Sequence, residues 1–599
     1  MLEENRCVNP DLLLEYVCDE RTSRKGVSGS LADRVAGRVC GGFGSNGELR
    51  WGVGGSAGPG AGGSGGPCEE GAITCANATA QVCKDGVPVD SEVCAAVCED
   101  GIGCLACRPG TSWCDGQTVQ VCDEDGSVTM GDTCDAEMGF ECDPVRAHCV
   151  DICSPERLGT SQVGCDYYAV ITPNPESIYF GDLYNFSVAI SNTSETAAYV
   201  EIDGGALTST IAVMVPPKSI SMQSLALVEG LGDPGSARVD GGAYHIVSKR
   251  PVTVHQFSPV EVTLESEASL LLPSNAMTPN YMVLGWREDP GDNGIVSPGF
   301  FSVVGTEDDT TVTITPKADV SAGPGVAMMT AGVPQDTVID RGTVLQLTSI
   351  AGDLTGSRVK ADKPVQVVAG HYVTYLPTGN FSSSRSHIEE SNFPLETLGK
   401  HYVVAAPAVV GTTEPRIQIV RILAVEEETH VSYDPPVSPD TTLGAGEHLD
   451  IVSSDADFVV SADKPIAVAQ YLVGEVAGAD GTGSPAMSLA VASAQFRNDY
   501  LFYAPTLYAE NHVNIVGPIG AKITLDGEMV GALGPVGSSG YGAVRALLGD
   551  ASGNGFHTVS ADVPVGIGVY GYSQGQLGWW ATYFYPGGLD LTPIYIPPS

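Results

Sequence analysis

From Tyr167 to the C-terminus, apolar and polar residues alternate in short runs, and the runs come in sets. Phe186-Ser-Val-Ala-Ile190 is followed by Tyr199-Val-Glu-Ile202, and Phe301-Ser-Val-Val304 by Thr311-Val-Thr-Ile314. Ile422-Leu-Ala-Val425 and His430-Val-Ser-Tyr433 repeat the pair, as do Val513-Asn-Ile-Val516 and Lys522-Ile-Thr-Leu525. A period of two with β-branched and aromatic residues predicts strands, and the helical period is nearly absent. One stretch recurs four times, around Pro251, Pro364, Pro465 and Pro564, at separations of 113, 101 and 99 residues. Each copy is an apolar run, a polar break ending in Pro, and a second apolar run, as in Val460-Ser-Ala-Asp-Lys-Pro465-Ile-Ala-Val468. Proline fixes φ and donates no ladder hydrogen bond, so the pattern predicts two strands joined by a tight turn. Tyr281-Met-Val-Leu, Tyr402-Val-Val-Ala and Tyr500-Leu-Phe-Tyr are equivalent strands of the same unit.

A unit recurring about every hundred residues means tandem copies of one module. The expected fold is all-β: four antiparallel β-sandwich-like repeats at about 166–268, 269–390, 391–485 and 486–599. A propeller-like ring is the alternative, since regular β repeats can close radially.

The cysteines divide the chain. All 17 lie at or before Cys165. Fourteen of them, Cys68, Cys75, Cys83, Cys94, Cys98, Cys104, Cys107, Cys114, Cys122, Cys134, Cys142, Cys149, Cys153 and Cys165, mark residues 68–165 as a disulfide-rich segment. The segment contains two six-cysteine modules, with Cys68, Cys75 and Cys83 answered by Cys107, Cys114 and Cys122 at an offset of 39. Six cysteines allow 15 pairings, and spacing does not choose among them. Cys153 and Cys165 remain as a closing pair. Zinc is the rival reading, on Cys104-x2-Cys107 and His148. Before the modules, residues 51–67 are a glycine-rich flexible linker. Residues 1–50 form a short segment of unclear fold, in which Leu12 to Val17 suggests the start of a helix. Such cysteine density implies export, yet Met1-Leu-Glu-Glu-Asn-Arg lacks the basic and apolar regions of a signal peptide. The true start is therefore expected upstream, or the chain to be truncated.

The net charge of −43 disfavours nucleic acid and anionic lipid as partners. No apolar run reaches the roughly 18 residues of a membrane span. Acidic turns at Glu307-Asp-Asp309, Glu426-Glu-Glu428 and Asp123-Glu-Asp-Gly126 make calcium a candidate ion, set against plain solvated charge. No other cofactor is implied. HExxH, G-x-S-x-G and P-loop patterns are absent. Gln256, His371, Gln470 and Gln574, beside Phe257, Tyr372, Tyr471 and Tyr570, suggest a binding surface or, alternatively, repeat core. The aromatic run Gly578-Trp-Trp-Ala-Thr-Tyr-Phe-Tyr585 is expected to be a last strand with one face free for a partner.

The run His387-Ile-Glu389-Glu390-Ser-Asn-Phe-Pro394, then Leu398-Gly-Lys-His-Tyr-Val-Val404, resembles the signature of the IgGFc-binding protein N-terminal domain. The Ala-Asp-Lys-Pro copies and Ser269-Leu-Leu-Leu-Pro273 resemble it too, and the likeness covers about residues 165–599. It implies an extracellular binding β domain of the kind found in bacterial surface proteins. It does not imply antibody binding, because a family name transmits no ligand. The expected function is that of a non-enzymatic exported protein that binds an extracellular protein or glycan, displayed on a Cys-rich stalk. A secreted polysaccharide hydrolase with paired carboxylates, and a purely structural envelope component, are the alternatives. Oligomeric state is not legible.

Overall fold

A computed structural model describes residues 68–597 except 181–183, 261–265, 292–293, 380–383, 479–480, 550–554 and 574–580. It also gives the backbone strands Arg6–Asn9, Leu12–Val17, Cys40–Phe43 and Leu49–Gly52. Leu12–Val17 is a strand paired with Arg6–Asn9, not the start of a helix. Six residues cannot offset the cost of nucleating an isolated helix. Residues 53–67 of the glycine-rich linker, Gln574 and Trp579-Trp580 lie outside the described residues.

The chain falls into two compact units. One holds residues 1–111 with 122–128, and the other residues 112–121 with 129–599. The unit boundary thus runs inside the second cysteine module rather than at residue 165. Seven disulfides join the fourteen cysteines. In both modules the first cysteine bonds the third, the second the fifth and the fourth the sixth, and Cys153–Cys165 is a bond of its own. Cys104 and Cys107 are both consumed, by Cys94 and Cys122, which overturns the zinc reading. Within the larger unit the second module is anchored on the first β repeat. The buried Arg250 guanidinium meets Glu141 at 2.7 Å and donates to the Ala136 carbonyl at 3.0 Å.

Each repeat is an eight-stranded sandwich. In the second repeat the strands are Asn280–Met282, Gly299–Gly305, Thr310–Thr315, Gln335–Ile339, Val344–Ser349, Arg358–Ala361, Val365–Tyr375 and Arg385–Ser391. One sheet has the order first, sixth, third, fourth, and the other fifth, second, seventh, eighth, all antiparallel. The other three repeats have the same two orders. Ala237–Val239, which precedes the sixth strand of repeat one, adds itself to the outer edge of repeat two.

The prolines do not sit in hairpins, and this corrects the sequence reading. The strands flanking Pro364 and Pro465 never pair with each other, because each sixth strand lies in one sheet and each seventh in the other. In repeats one and four they are single elements, Tyr244–Phe257 and Phe556–Tyr572, running through Pro251 and Pro564. Residues 244–248 pair in one sheet and 253–257 in the other. Proline thus marks the corner where a strand changes sheets, a place where no N–H is required. A polar break before Pro reads the same locally whether the chain turns back or crosses over.

A tyrosine fixes the corner. The Tyr167, Tyr402 and Tyr500 hydroxyls donate to the carbonyls of Val252, Ile466 and Val565, each the residue just after the proline. Third strands alternate as the sequence predicts, Thr310–Thr315 being buried at every second position. Second and seventh strands are buried on both faces, as in Gln418–Ala424 and Ile466–Leu472. One face meets the opposite sheet and the other meets the next repeat, which explains their unbroken apolar runs.

The four sandwiches close into a ring. Their eighth strands, Ala268–Leu270, Arg385–Ser391, Ala486–Leu489 and Thr582–Pro586, each neighbour the next, and the last neighbours the first. The sandwich is the unit and the ring is the arrangement. Repeat four seals to repeat one through Phe257 against Tyr503 and Tyr583. We expect reductant to unfold the six-cysteine modules while the ring, whose one cysteine is Cys165 at its first strand, keeps its far-UV strand signal and thermal transition. A disulfide contributes about 2–4 kcal/mol, comparable to the whole stability of a 40-residue module. Circular dichroism with and without reductant checks this, and simultaneous loss of both would show one cooperative unit.

Candidate functional site

The eighth strands enclose a hub on the ring axis. Each is the edge of its sheet, so its outer N–H groups have no ladder partner and face the hub. Buried edge donors must find acceptors, and carboxylates supply them. Glu267 accepts from the N–H groups of Ala268 at 3.0 Å, Phe584 at 2.9 Å and Met487 at 2.8 Å, thereby joining repeats one, four and three. Glu390 accepts from Leu270 at 3.1 Å and Ser391 at 2.9 Å. Glu389 accepts from Gln256 Nε2 at 2.8 Å, Ser269 Oγ at 3.2 Å and the Thr172 hydroxyl, with His387 Nε2 at 3.3 Å. The His387 ring stacks on Phe300. Gly370, opposite Glu389 in the ladder, permits this approach: a Cβ there would lie 1.9 Å from the Ile388 carbonyl.

Burial pushes the Glu267 and Glu390 carboxyls well above the ordinary glutamate range. Their N–H donors oppose that rise, and the nearby Glu389 charge adds to it. Burial likewise lowers His255 to about 3 and His371 to about 4.

The sequence singled out His387, Glu389, Glu390 and Pro394. The first three meet in this hub and are fully buried. Pro394 stands at the exit, where its carbonyl accepts from Thr397 and opens the 3-10 turn Leu395–Thr397 into the next repeat. Glu267 and Thr172 were missed. Glu267 directly precedes an apolar run and reads as a solvated turn, and its counterpart in repeat two is Ile388. The sequence left Gln256 open between a binding surface and repeat core. The structure buries it with His371, Gln470, Phe257, Tyr471 and Tyr570, so these residues are core, while Tyr372 is half-buried.

Two of the three acidic turns have a cation of their own. Lys363 Nζ donates to the carbonyls of Asp308 and Asp309, and Lys464 Nζ to that of Glu427. Asp309 and Glu428 take φ of 53°, closing matching turns. Among the described residues no group of three or more His, Cys, Asp or Glu side chains is placed to hold a metal. The three clustered carboxylates lie in the sealed hub, not on the floor of a cleft.

Two openings face outward. One, of ≈ 580 Å³, is lined by Leu398, Lys400, His401, Glu426, Lys464 and Ile594. The other, of ≈ 330 Å³, lies between the Cys153–Cys165 loop and the residues Tyr168, Glu307 and Arg341. No helix among the described residues is long and apolar enough to cross a membrane.

No curated protein matches the chain. Among solved structures, a tetra-tandem repeat from the extending region of a large adhesion protein aligns at 13% identity over 67% of this chain and 94% of that one. Its TM-score of 0.07 gives that likeness no weight. The family model for IgGFc binding protein matches residues 267–571, just over half of the 599. The match opens at the hub glutamate Glu267 and runs to within one residue of the end of the last corner strand. The chain that builds this ring therefore belongs to the IgGFc binding protein family.

Proposed function

We propose that the chain is an exported, non-enzymatic binding protein whose ring presents its outer strands and loops to an extracellular protein partner. The observation that carries this reading is the sealed hub. The family motif and the buried carboxylates are consumed in holding four sandwiches together, so a partner meets only the exterior. Four fourth strands, Ile211–Val215, Gln335–Ile339, Thr441–Leu443 and Glu528–Met529, end their sheets. Three of them carry outward apolar side chains: Met214, Val338 and Met529. Such edges suit strand addition by an extended peptide. The disulfide modules fit an oxidising, extracellular setting.

The acidic exterior favours a basic partner face, so affinity should fall as salt rises. The full chain is to be titrated against immunoglobulin Fc fragments, a panel of matrix proteins and a glycan array. Saturable, salt-sensitive binding to a protein supports the proposal. Binding confined to glycans overturns the protein partner, and self-association alone favours a structural role.

A further inference from the structure

One corner of the hub is arranged for chemistry that its packing role does not require. The Glu389 carboxylate holds two different groups from repeat one. On Oε2 it accepts the Thr172 hydroxyl, and on Oε1 it accepts Gln256 Nε2 at 2.8 Å. The Gln256 carbonyl oxygen is in turn held by the Val170 N–H at 3.1 Å. His387 Nε2 stands 3.4 Å from the Thr172 hydroxyl and 3.3 Å from Glu389 Oε2. Thr172, Gln256, His387 and Glu389 are all fully buried, so water is excluded. A nucleophilic hydroxyl, a base, a carboxamide and an N–H on the oxygen where negative charge would develop make up the set used in acyl transfer.

We propose that Thr172 and Gln256 become joined by an intramolecular ester. The Thr172 hydroxyl gives its proton to Glu389 Oε2 as Oγ1 attacks Gln256 Cδ. The negative charge moves onto Gln256 Oε1, where the Val170 N–H stabilises it. The carbonyl re-forms, the Cδ–Nε2 bond breaks, and Nε2 takes the proton from Glu389 and leaves as ammonia. One C–O bond forms and one C–N bond breaks. No oxidant, reductant or cofactor is consumed, and Glu389 ends as it began. Holding both reactants on one carboxylate removes the entropic cost of bringing them together.

The threonine–glutamine pair belongs to repeat one alone. Counting from the corner tyrosines, the other repeats place Trp286, Pro407 and Pro505 where Thr172 stands. Counting from the corner prolines, they place Ala369, Gln470 and Val569 at the Gln256 position. The link would tie the exit of the first strand, Gly164–Ala169, to the seventh-strand half of Tyr244–Phe257. That is where the ring meets the chain arriving from the cysteine modules, so the ester would stop any peeling of the first strand at Thr172. This inference is independent of which partner the exterior binds.

The test is the intact mass of the full chain after disulfide reduction. A mass lower than the sequence mass by one ammonia is expected, with the peptides containing Thr172 and Gln256 recovered as one species that hydroxylamine separates. Thr172→Val and Glu389→Gln should regain the full mass, and Thr172→Ser should keep the deficit. A wild-type chain of full sequence mass after prolonged incubation overturns the proposal without reference to any variant. A deficit that persists in Thr172→Val, or a cross-link mapped to Ser269, overturns it too.

Discussion

Arg421→Ala will lower the unfolding free energy of the ring by about 3–5 kcal/mol, the cost of leaving buried charges without their partner. Arg421 rises from the second strand of repeat three into the contact with repeat two, and its side chain is fully buried. Its guanidinium meets Asp450 with two hydrogen bonds, Nε at 2.8 Å and Nη2 at 2.9 Å. Nη1 reaches Asp353 at 2.8 Å and the Gly285 carbonyl and Thr355 hydroxyl at 3.0 Å each, while the plane lies 4.2 Å from the centre of the Trp286 ring. Burial alone would raise the Asp353 carboxyl; Arg421 and then His448 outweigh it and hold it below the ordinary range. Removing Arg421 strands both carboxylates and the Gly285 oxygen. Lysine cannot reproduce the planar fork or the stacking, so Arg421→Lys should recover little. Arg421→Met combined with Asp353→Asn and Asp450→Asn should recover more, since no buried charge is then left alone. Urea unfolding of the four proteins measures this, and a loss below about 1 kcal/mol for Arg421→Ala would show that the network adds nothing at this interface.

How much of this was legible follows from the range of each interaction. Strand periodicity is local, and so the all-β class, the repeat length and the equivalence of Tyr281, Tyr402 and Tyr500 could be read from the sequence. The corner prolines were legible as positions but not as a topology. Whether the run after Pro364 folds back or crosses to the opposite sheet depends on partners such as Phe301 and Ser302, about 60 residues upstream. Cys153–Cys165 was readable by elimination within the segment, whereas the order inside each module needed three-dimensional proximity. His387, Glu389 and Glu390 stood out as a motif, yet their setting did not. A Glu-Glu pair in a β protein reads as a structured loop between repeats rather than as part of the buried strand Arg385–Ser391, because the acceptors' partners, Leu270, Gln256 and Thr172, lie more than a hundred residues away in another repeat. Glu267 and Arg421 carry no local signal at all: each is a charged residue whose burial is decided only when the ring closes.

Ring closure should leave a pH signature, and Glu267 and Glu390 set its sign. Their native carboxyls bind protons more tightly than in the unfolded chain, where a glutamate titrates near about 4.3. The stability linked to them is therefore fully present below that value and is lost as pH rises towards their native pKa. The buried His255 and His371 act in the opposite direction. Their pKa values are lowered to about 3 and about 4, so folding is penalised as pH falls below the ordinary histidine value of about 6.5. Above that value the histidines are neutral in both states, and the carboxyls act alone. Between pH 6.5 and 9 the urea midpoint of the wild type should fall, with a limit of about 1.4 kcal/mol per pH unit for each carboxyl still protonated in the native state. Glu390→Gln should flatten that slope at modest cost, because an amide oxygen can still accept from Leu270 and Ser391. Glu267→Ala should cost more than any single hub hydrogen bond, since it orphans the N–H groups of Phe584 and Met487 at about 1–3 kcal/mol each. It should also loosen the seam where repeat four meets repeat one, read as faster amide exchange in Ala268–Leu270 and Thr582–Pro586. A wild-type midpoint that stays level from pH 6.5 to 9, matched by Glu390→Gln, would mean that the hub carboxyls are ionised in the closed ring and that their N–H donors outweigh burial.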